Sequence, residues 1–364
     1  MRALWITLSA LASKSGGRRI MSSSTSGARP NRVQIQDLWK KLRSNKAGIF
    51  LLDGGTGEEL FQRGVPDDRK IWSATALVHP EYQPALRDVH KSFLAAGAQA
   101  ITTNSYGVVP GVGFTSEEIE KHVTTAGRIA RETVDDFNNN NPQCEPKLVL
   151  GSLGPLLESY RPDKLMESEE GIKIYGVMAR ALLPFVDVFI AETMSCVEEA
   201  TQAIRAVGTL EKDDGASCRT MIVSYTLASS GCLRDSETAT RAVTRTMDLC
   251  KESGVELLGV LFNCAEPEAI TKALASIRED SALQQRMTDQ GVLTGAYANR
   301  LTPVDPNWSL AESEAPQATR DDLSVERYSN EFVSPWVNDF GATFVGGCCG
   351  ITPAYIEHIH KHLR

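Results

Sequence analysis

A chain of 364 residues with 42% hydrophobic and 23% charged residues has ordinary globular composition and enough length for a large core. Its net charge of −8 argues against a nucleic-acid or anionic-membrane partner. It carries no basic stripe with interleaved aromatics, and no apolar run approaches the ~20 residues of a membrane span, so the expected partners are small molecules, with no nucleic acid and no membrane.

The first 36 residues contain no acidic residue. They read as an extension with folded structure starting near Arg32, or as an upstream start with Met21 as initiator. Two other readings are an organelle transit peptide and a short signal peptide, "LWITLSALA", cleaved at Ala10-Leu11-Ala12. The expected division is 1–31 as extension or targeting segment and 32–364 as one domain. The expected compartment is the cytoplasm, or a mitochondrion or other organelle if 1–31 is a transit peptide.

From there a short apolar run alternates with an amphipathic helical stretch. The runs are "GIFLLDGG" (48–55), "QAITTNSYG" (99–107), "KLVLGSLGP" (147–155), "VDVFIAETM" (186–194), "TMIVSYTL" (220–227), "LLGVLFNC" (257–264), "GVLTGAYAN" (291–299) and "ATFVGGCC" (342–349). Between them lie helical stretches such as 79–97, 168–186 and 236–254, the last with Ser236 and Gly254 as its expected caps. Continuous β-rich runs mean strands covered on both faces, hence a parallel sheet. Eight such units predict a single-domain (β/α)8 TIM-type barrel. A doubly wound open sheet is the rival, but no G-x-G-x-x-G follows the first strand. Residues 301–324 form a long polar, proline-bearing connection, in which Trp308 is a candidate lid over a pocket or an exposed loop side chain.

Active sites of such barrels sit at the C-terminal strand ends. Asp53, Asn104, Tyr106, Glu192, Cys264, Asn299, Cys348 and Cys349 all fall there. The eight cysteines, Cys144, Cys196, Cys218, Cys232, Cys250, Cys264, Cys348 and Cys349, are scattered as reduced thiols rather than as a disulfide scaffold. In "TFVGGCCGI" (343–351), Gly346, Gly347 and Gly350 are expected to release the backbone from strand torsions, so that both sulfurs face one point. With Cys264 they make three thiolates, the donor set of a catalytic Zn²⁺ with one open position. No histidine stands at a strand end to serve as general base. A substrate thiol reaching the open position loses its proton, which favours attack of a thiolate on an electrophilic carbon.

"LLDGGTGEEL", "ITTNSYG", "GSLGP", "IAETM", "FNC" and "VGGCCG", in that order, resemble the homocysteine S-methyltransferase family, from about residue 48 to the C-terminus. The resemblance implies a zinc barrel related to betaine–homocysteine methyltransferase and to the homocysteine half of methionine synthase. It implies Cys264, Cys348 and Cys349 as ligands, and Asp53 and Glu192 on the amino-acid end of homocysteine. Tyr106 falls where relatives have an aromatic near the metal; Asn104 and Asn299 complete the expected substrate-binding set. The implied reaction moves a methyl group from a sulfonium, S-methylmethionine first and S-adenosylmethionine second, to homocysteine, giving methionine.

The alternatives are a betaine, methyltetrahydrofolate or other donor, a thiol or selenol acceptor other than homocysteine, and a non-catalytic zinc- or thiol-binding barrel. The protein is expected to be a monomer or small homo-oligomer. "GGTGEEL" departs from the commoner small-residue continuation after "DGG", and "YAN" lacks the family's usual proline before Asn299. Cys250 is expected in packing, and Cys196 and Cys232 as non-ligands on the active face. His358, His360 and His362 alternate at spacing two on a terminal helix, as a solvated tail rather than a metal site.

Overall fold

The computed structural model describes residues 32–44, 48–68, 70–211, 219–303 and 317–363. The readings of residues 1–31, of Cys218 and of Trp308 lie outside them. Eight parallel strands form one sheet: β1 (Phe50–Leu51), β2 (Ala100–Thr102), β3 (Leu148–Leu153), β4 (Val188–Met194), β5 (Thr220–Tyr225), β6 (Glu256–Asn263), β7 (Leu293–Tyr297) and β8 (Phe344–Val345). The order β1-β8-β7-β6-β5-β4-β3-β2, with helices between the strands, is a (β/α)8 barrel; seven strands fall inside their predicted apolar runs, and β6 starts one residue ahead of its run, at Glu256.

The β1–β2 seam closes differently from the others. Gln99 donates its backbone N–H to Leu51 O at 2.7 Å, and its side-chain Oε1 accepts the Leu51 N–H at 2.9 Å. One turn higher, the Asp53 carboxylate accepts the Thr102 N–H at 2.7 Å and the Thr102 hydroxyl at 2.9 Å. Two side chains thus replace ladder bonds that these short strands leave unmade, which a buried backbone requires.

Period-two alternation sorts the strand residues. Phe50, Leu148, Leu150, Val188, Ile190, Ile222, Leu258 and Phe344 fill the barrel interior, while Leu51, Val149, Phe189, Val223 and Val260 face the helices. The helix Arg32–Arg43 caps the N-terminal end of this interior: the Trp39 ring lies 5.8 Å from Phe50, itself 5.3 Å from Phe344. Apolar side chains therefore fill the barrel floor, and the next layer up is polar.

Three local expectations change. The helix predicted over 236–254 runs Ala239–Glu252 and is capped by Thr238, whose hydroxyl accepts the Arg241 N–H; Ser236 sits before it in a left-handed turn (φ 75°). The 301–324 connection is not irregular at its base. Leu301 and Thr319 pair antiparallel, and Arg320 ties the segment down with bidentate bonds of 2.7 and 2.9 Å to Glu268. The terminal histidines sit on the helix Pro353–Leu363, but His358 and His360 are half-buried rather than solvated, and His358 stacks on His362 at 4.0 Å.

Candidate active site

Three sulfurs meet at the C-terminal mouth. Cys264 Sγ lies 3.8 Å from Cys349 Sγ, which is 4.0 Å from Cys348 Sγ, and all three fall within 4.8 Å of one another. Two local features aim them. Cys264 adopts φ +47°, in the left-handed region that side chains avoid, so the chain turns sharply as it leaves β6. Asn263, fully buried just before it, accepts bonds from the Thr193 N–H (2.9 Å) and the Ser224 hydroxyl (2.7 Å), locking the ends of β4, β5 and β6 together.

Of the three glycines expected to supply torsional freedom at the vicinal pair, only Gly350 takes a left-handed torsion (φ 78°). Gly346 and Gly347 are there for space. A Cβ on Gly347 would stand 2.1 Å from Ile351 Cγ2, and one on Gly346 would stand 2.6 Å from Leu52 Cβ. The loop is held from both sides: Gly347 N donates to Asp53 O (2.9 Å), Cys348 N to Ala298 O (2.9 Å) and Arg300 N to Cys349 O (2.8 Å).

Around the sulfurs, donors favour one charged thiolate. The Cys264 thiol is held well below its ordinary value, first by bonds from Cys348 and Cys349, then by Tyr160 and Asn299. Cys348 and Cys349 are pushed up, first by their hydrogen bonds to Cys264, then by burial and by the charge at Cys264. Tetrahedral thiolates at about 2.3 Å from a zinc stand about 3.8 Å apart, so the observed spacings fit such an ion. Bringing all three sulfurs to the thiolate form calls for a cation among them.

The carboxylates stand across the mouth. Glu192 Oε1 accepts the Ser152 hydroxyl at 2.5 Å, and Glu192 Oε2 accepts the Tyr297 hydroxyl at 3.3 Å, a bond that crosses the barrel from β4 to β7. Burial pushes Asp53 up to about 6 and Glu192 up to about 7, the latter helped by the charges of Asp53 and Cys264. Asn299 Nδ2 lies 3.8 Å from Cys264 Sγ. Asn104 instead donates to Ser73 O at 2.9 Å, and the Tyr106 hydroxyl bonds Ser159 at 2.6 Å.

The family profile for homocysteine S-methyltransferase matches residues 50–363. The chain belongs to this family. Curated relatives include homocysteine S-methyltransferase 2 of Zea mays, 28% identical over 336 residues (87% of this chain, 90% of the relative), and the homocysteine S-methyltransferase of Escherichia coli, 28% identical over 324 residues (86% and 94%). In fold it is similar to the homocysteine methyltransferase MmuM from Escherichia coli in a metallated form (TM-score 0.65, 23% identity, 90% of this chain and 99% of that one). The homocysteine S-methyltransferase family transfers methyl groups to homocysteine, so the chain is a methyltransferase acting on small molecules. Among the described residues no helix is long and apolar enough to cross a membrane.

Against that family background, three site residues lay beyond the sequence reading. The aromatic touching the sulfurs is Tyr160, whose hydroxyl stands 3.1 Å from Cys264 Sγ from a left-handed position (φ 67°). Glu58, within the departing "GGTGEEL", has one buried oxygen without a partner beside the Cys349–Gly350 segment, and burial pushes it up to about 7. Arg234, after β5, lies with its guanidinium 4.9 Å from the Tyr160 ring centre. Only Glu58 carried a signal, the departure itself; the other two come from loops whose paths local sequence does not set.

A second cluster, Cys196, Glu198 and Asp235, also has its ligand atoms within 4.8 Å. There Glu198 is already paired with Arg245 at 2.6 Å, and burial pushes the Cys196 thiol up to about 12, so it stays protonated. Cys250 is buried on its helix, and none of the seven described cysteines forms a disulfide.

Proposed function

We propose that this chain holds Zn²⁺ on Cys264, Cys348 and Cys349 and transfers a methyl group from a sulfonium donor, S-methylmethionine in first place, to homocysteine. The observation that carries the reading is the convergence of three sulfurs beyond the ends of β6 and β8, within 4.8 Å of one another and with two pairs at 3.8 and 4.0 Å. When bound, the ion supplies the positive charge that keeps the ligand thiols, and an incoming thiol, deprotonated at neutral pH.

The remaining work falls to this chain's own side chains. Asp53 and Glu192 would hold the ammonium of homocysteine: each carboxylate oxygen keeps a lone pair beyond its present bonds. That directs the acceptor's thiol from the barrel axis toward the cysteines. Tyr160 and Asn299 donate toward Cys264 and fix its position. The acceptor sulfur's electron pair forms the new S–CH₃ bond. The old bond's pair stays on the donor sulfur, which leaves as a neutral thioether. Charge is annihilated in this step, so a water-poor mouth favours it, and alignment of the two sulfurs through the methyl carbon supplies much of the rest.

The test is metal content and product on the purified full chain. About one zinc per chain is expected, lost in Cys264→Ser together with methionine formation. Homocysteine incubated with S-methylmethionine, S-adenosylmethionine, betaine and methyltetrahydrofolate should yield methionine from the sulfoniums, S-methylmethionine leading. Full activity of thoroughly metal-stripped protein would overturn the zinc assignment.

A further inference from the structure

A small cleft opens beside the sulfurs, lined by Cys264, Asn299, Ser229, Arg234 and Glu266 among others. Neither Asp53 nor Glu192 lines it. The cleft therefore reaches Cys264 without using either carboxylate proposed for the acceptor. In-line transfer between two sulfurs needs acceptor and donor to approach the methyl carbon from opposite directions.

Arg234 is the unusual wall of the cleft. A guanidinium stays charged at any working pH, and a charge withdrawn from water normally finds an ionic partner. Arg234 forms no ion pair among the described residues, and its Nε is buried without a hydrogen-bond partner. Its contact is the face of Tyr160, the same ring whose hydroxyl reaches Cys264. Glu266, across the cleft, has one oxygen on the Ser229 hydroxyl at 2.5 Å and leaves the other for a ligand.

The geometry points to Arg234 and Glu266 as the site for the amino-acid end of the methyl donor: the guanidinium takes its α-carboxylate and Glu266 its α-ammonium. The donor is then an α-amino acid carrying a methylsulfonium, not a bare sulfonium or a methylated amine. The inference rests on the proposed methyl transfer and assigns its donor class and the residues that select it.

The test is steady-state kinetics of the metal-loaded full chain with three donors: S-methylmethionine, dimethylsulfoniopropionate (no ammonium) and trimethylsulfonium (neither group). In Arg234→Gln, kcat/KM for S-methylmethionine should fall about 100-fold or more, the usual scale for truncating a desolvated charge pair. Trimethylsulfonium should be unaffected, and so should metal content and the KM for homocysteine. Arg234→Lys should recover part of the loss. Glu266→Gln should penalise S-methylmethionine more than dimethylsulfoniopropionate.

A raised homocysteine KM, or equal losses on all three donors, would overturn the assignment. Calorimetric titration with S-methylmethionine separates the two ideas. Binding that weakens in Arg234→Gln, in a protein that methylates nothing, keeps the site and discards the reaction. Turnover indifferent to Arg234 keeps the reaction and discards the site.

Discussion

Tyr160 shows what a single residue contributes at this site. Its hydroxyl, 3.1 Å from Cys264 Sγ, both steadies a thiolate and fixes the sulfur's position. Groups that orient metal ligands in this way typically contribute about 10–100-fold in metal affinity. Tyr160→Phe should therefore keep the fold and the metal stoichiometry but weaken metal binding by about that factor, measured by competition with a chromophoric chelator. Unchanged affinity would reduce Tyr160 to a wall of the pocket. Asp53 is a subtler case. Its carboxylate already closes the β1–β2 seam through Thr102, so Asp53→Asn should lower stability as well as any homocysteine affinity. Glu192→Gln should affect binding more than stability, because its partners Ser152 and Tyr297 are side chains rather than ladder groups. Denaturant unfolding of both variants, alongside homocysteine KM, tells the two roles apart.

At the scale of elements, the loop after β8 and the helix after β4 each make a prediction. In the loop, Gly347→Ala would drive a methyl into Ile351. Overpacking of this kind costs about 1–3 kcal/mol, and here the strain is adjacent to Cys348 and Cys349. Metal content should fall with stability, whereas Gly350→Ala should cost mainly through its left-handed torsion. In the helix Val197–Gly208, Glu199 is buried against the Ser195 N–H at 2.7 Å, and burial pushes it up to about 8 from an ordinary 4.5. A carboxyl whose folded value is raised contributes stability that is complete below pH 4.5 and is lost as pH climbs through 8. Relative to Glu199→Gln, the wild type should thus lose on the order of a few kcal/mol between pH 5 and pH 9, read from denaturant midpoints. A pH-independent difference between the two proteins would show that Glu199 is ionised throughout.

For the whole molecule, the proposed ion would link the ends of two strands, β6 and β8, that are separated by β7, through cysteines as far as 85 residues apart in sequence. An ion bound only by the folded chain stabilises it by mass action, about 2.7 kcal/mol at 100 times its dissociation constant. Chelation should accordingly lower the thermal midpoint by several degrees, and restoring zinc should recover it; an unmoved midpoint would argue that no ion is held. The eight strands were legible because buried parallel strands are continuous apolar runs, a property written along the chain. Cys264, Cys348 and Cys349 were legible because each directly follows such a run, so barrel closure alone brings them to one end. Tyr160 and Arg234 were not, since both leave loops whose course depends on left-handed torsions and on packing against distant residues. The glycine pair was identified but misread, because a missing Cβ serves torsion and close approach alike. Periodicity and spacing are local, and from them follow the barrel and its sulfurs. Which side chains finally face those sulfurs is a matter of contacts between loops far apart in the chain, and such contacts exist only once the barrel has closed.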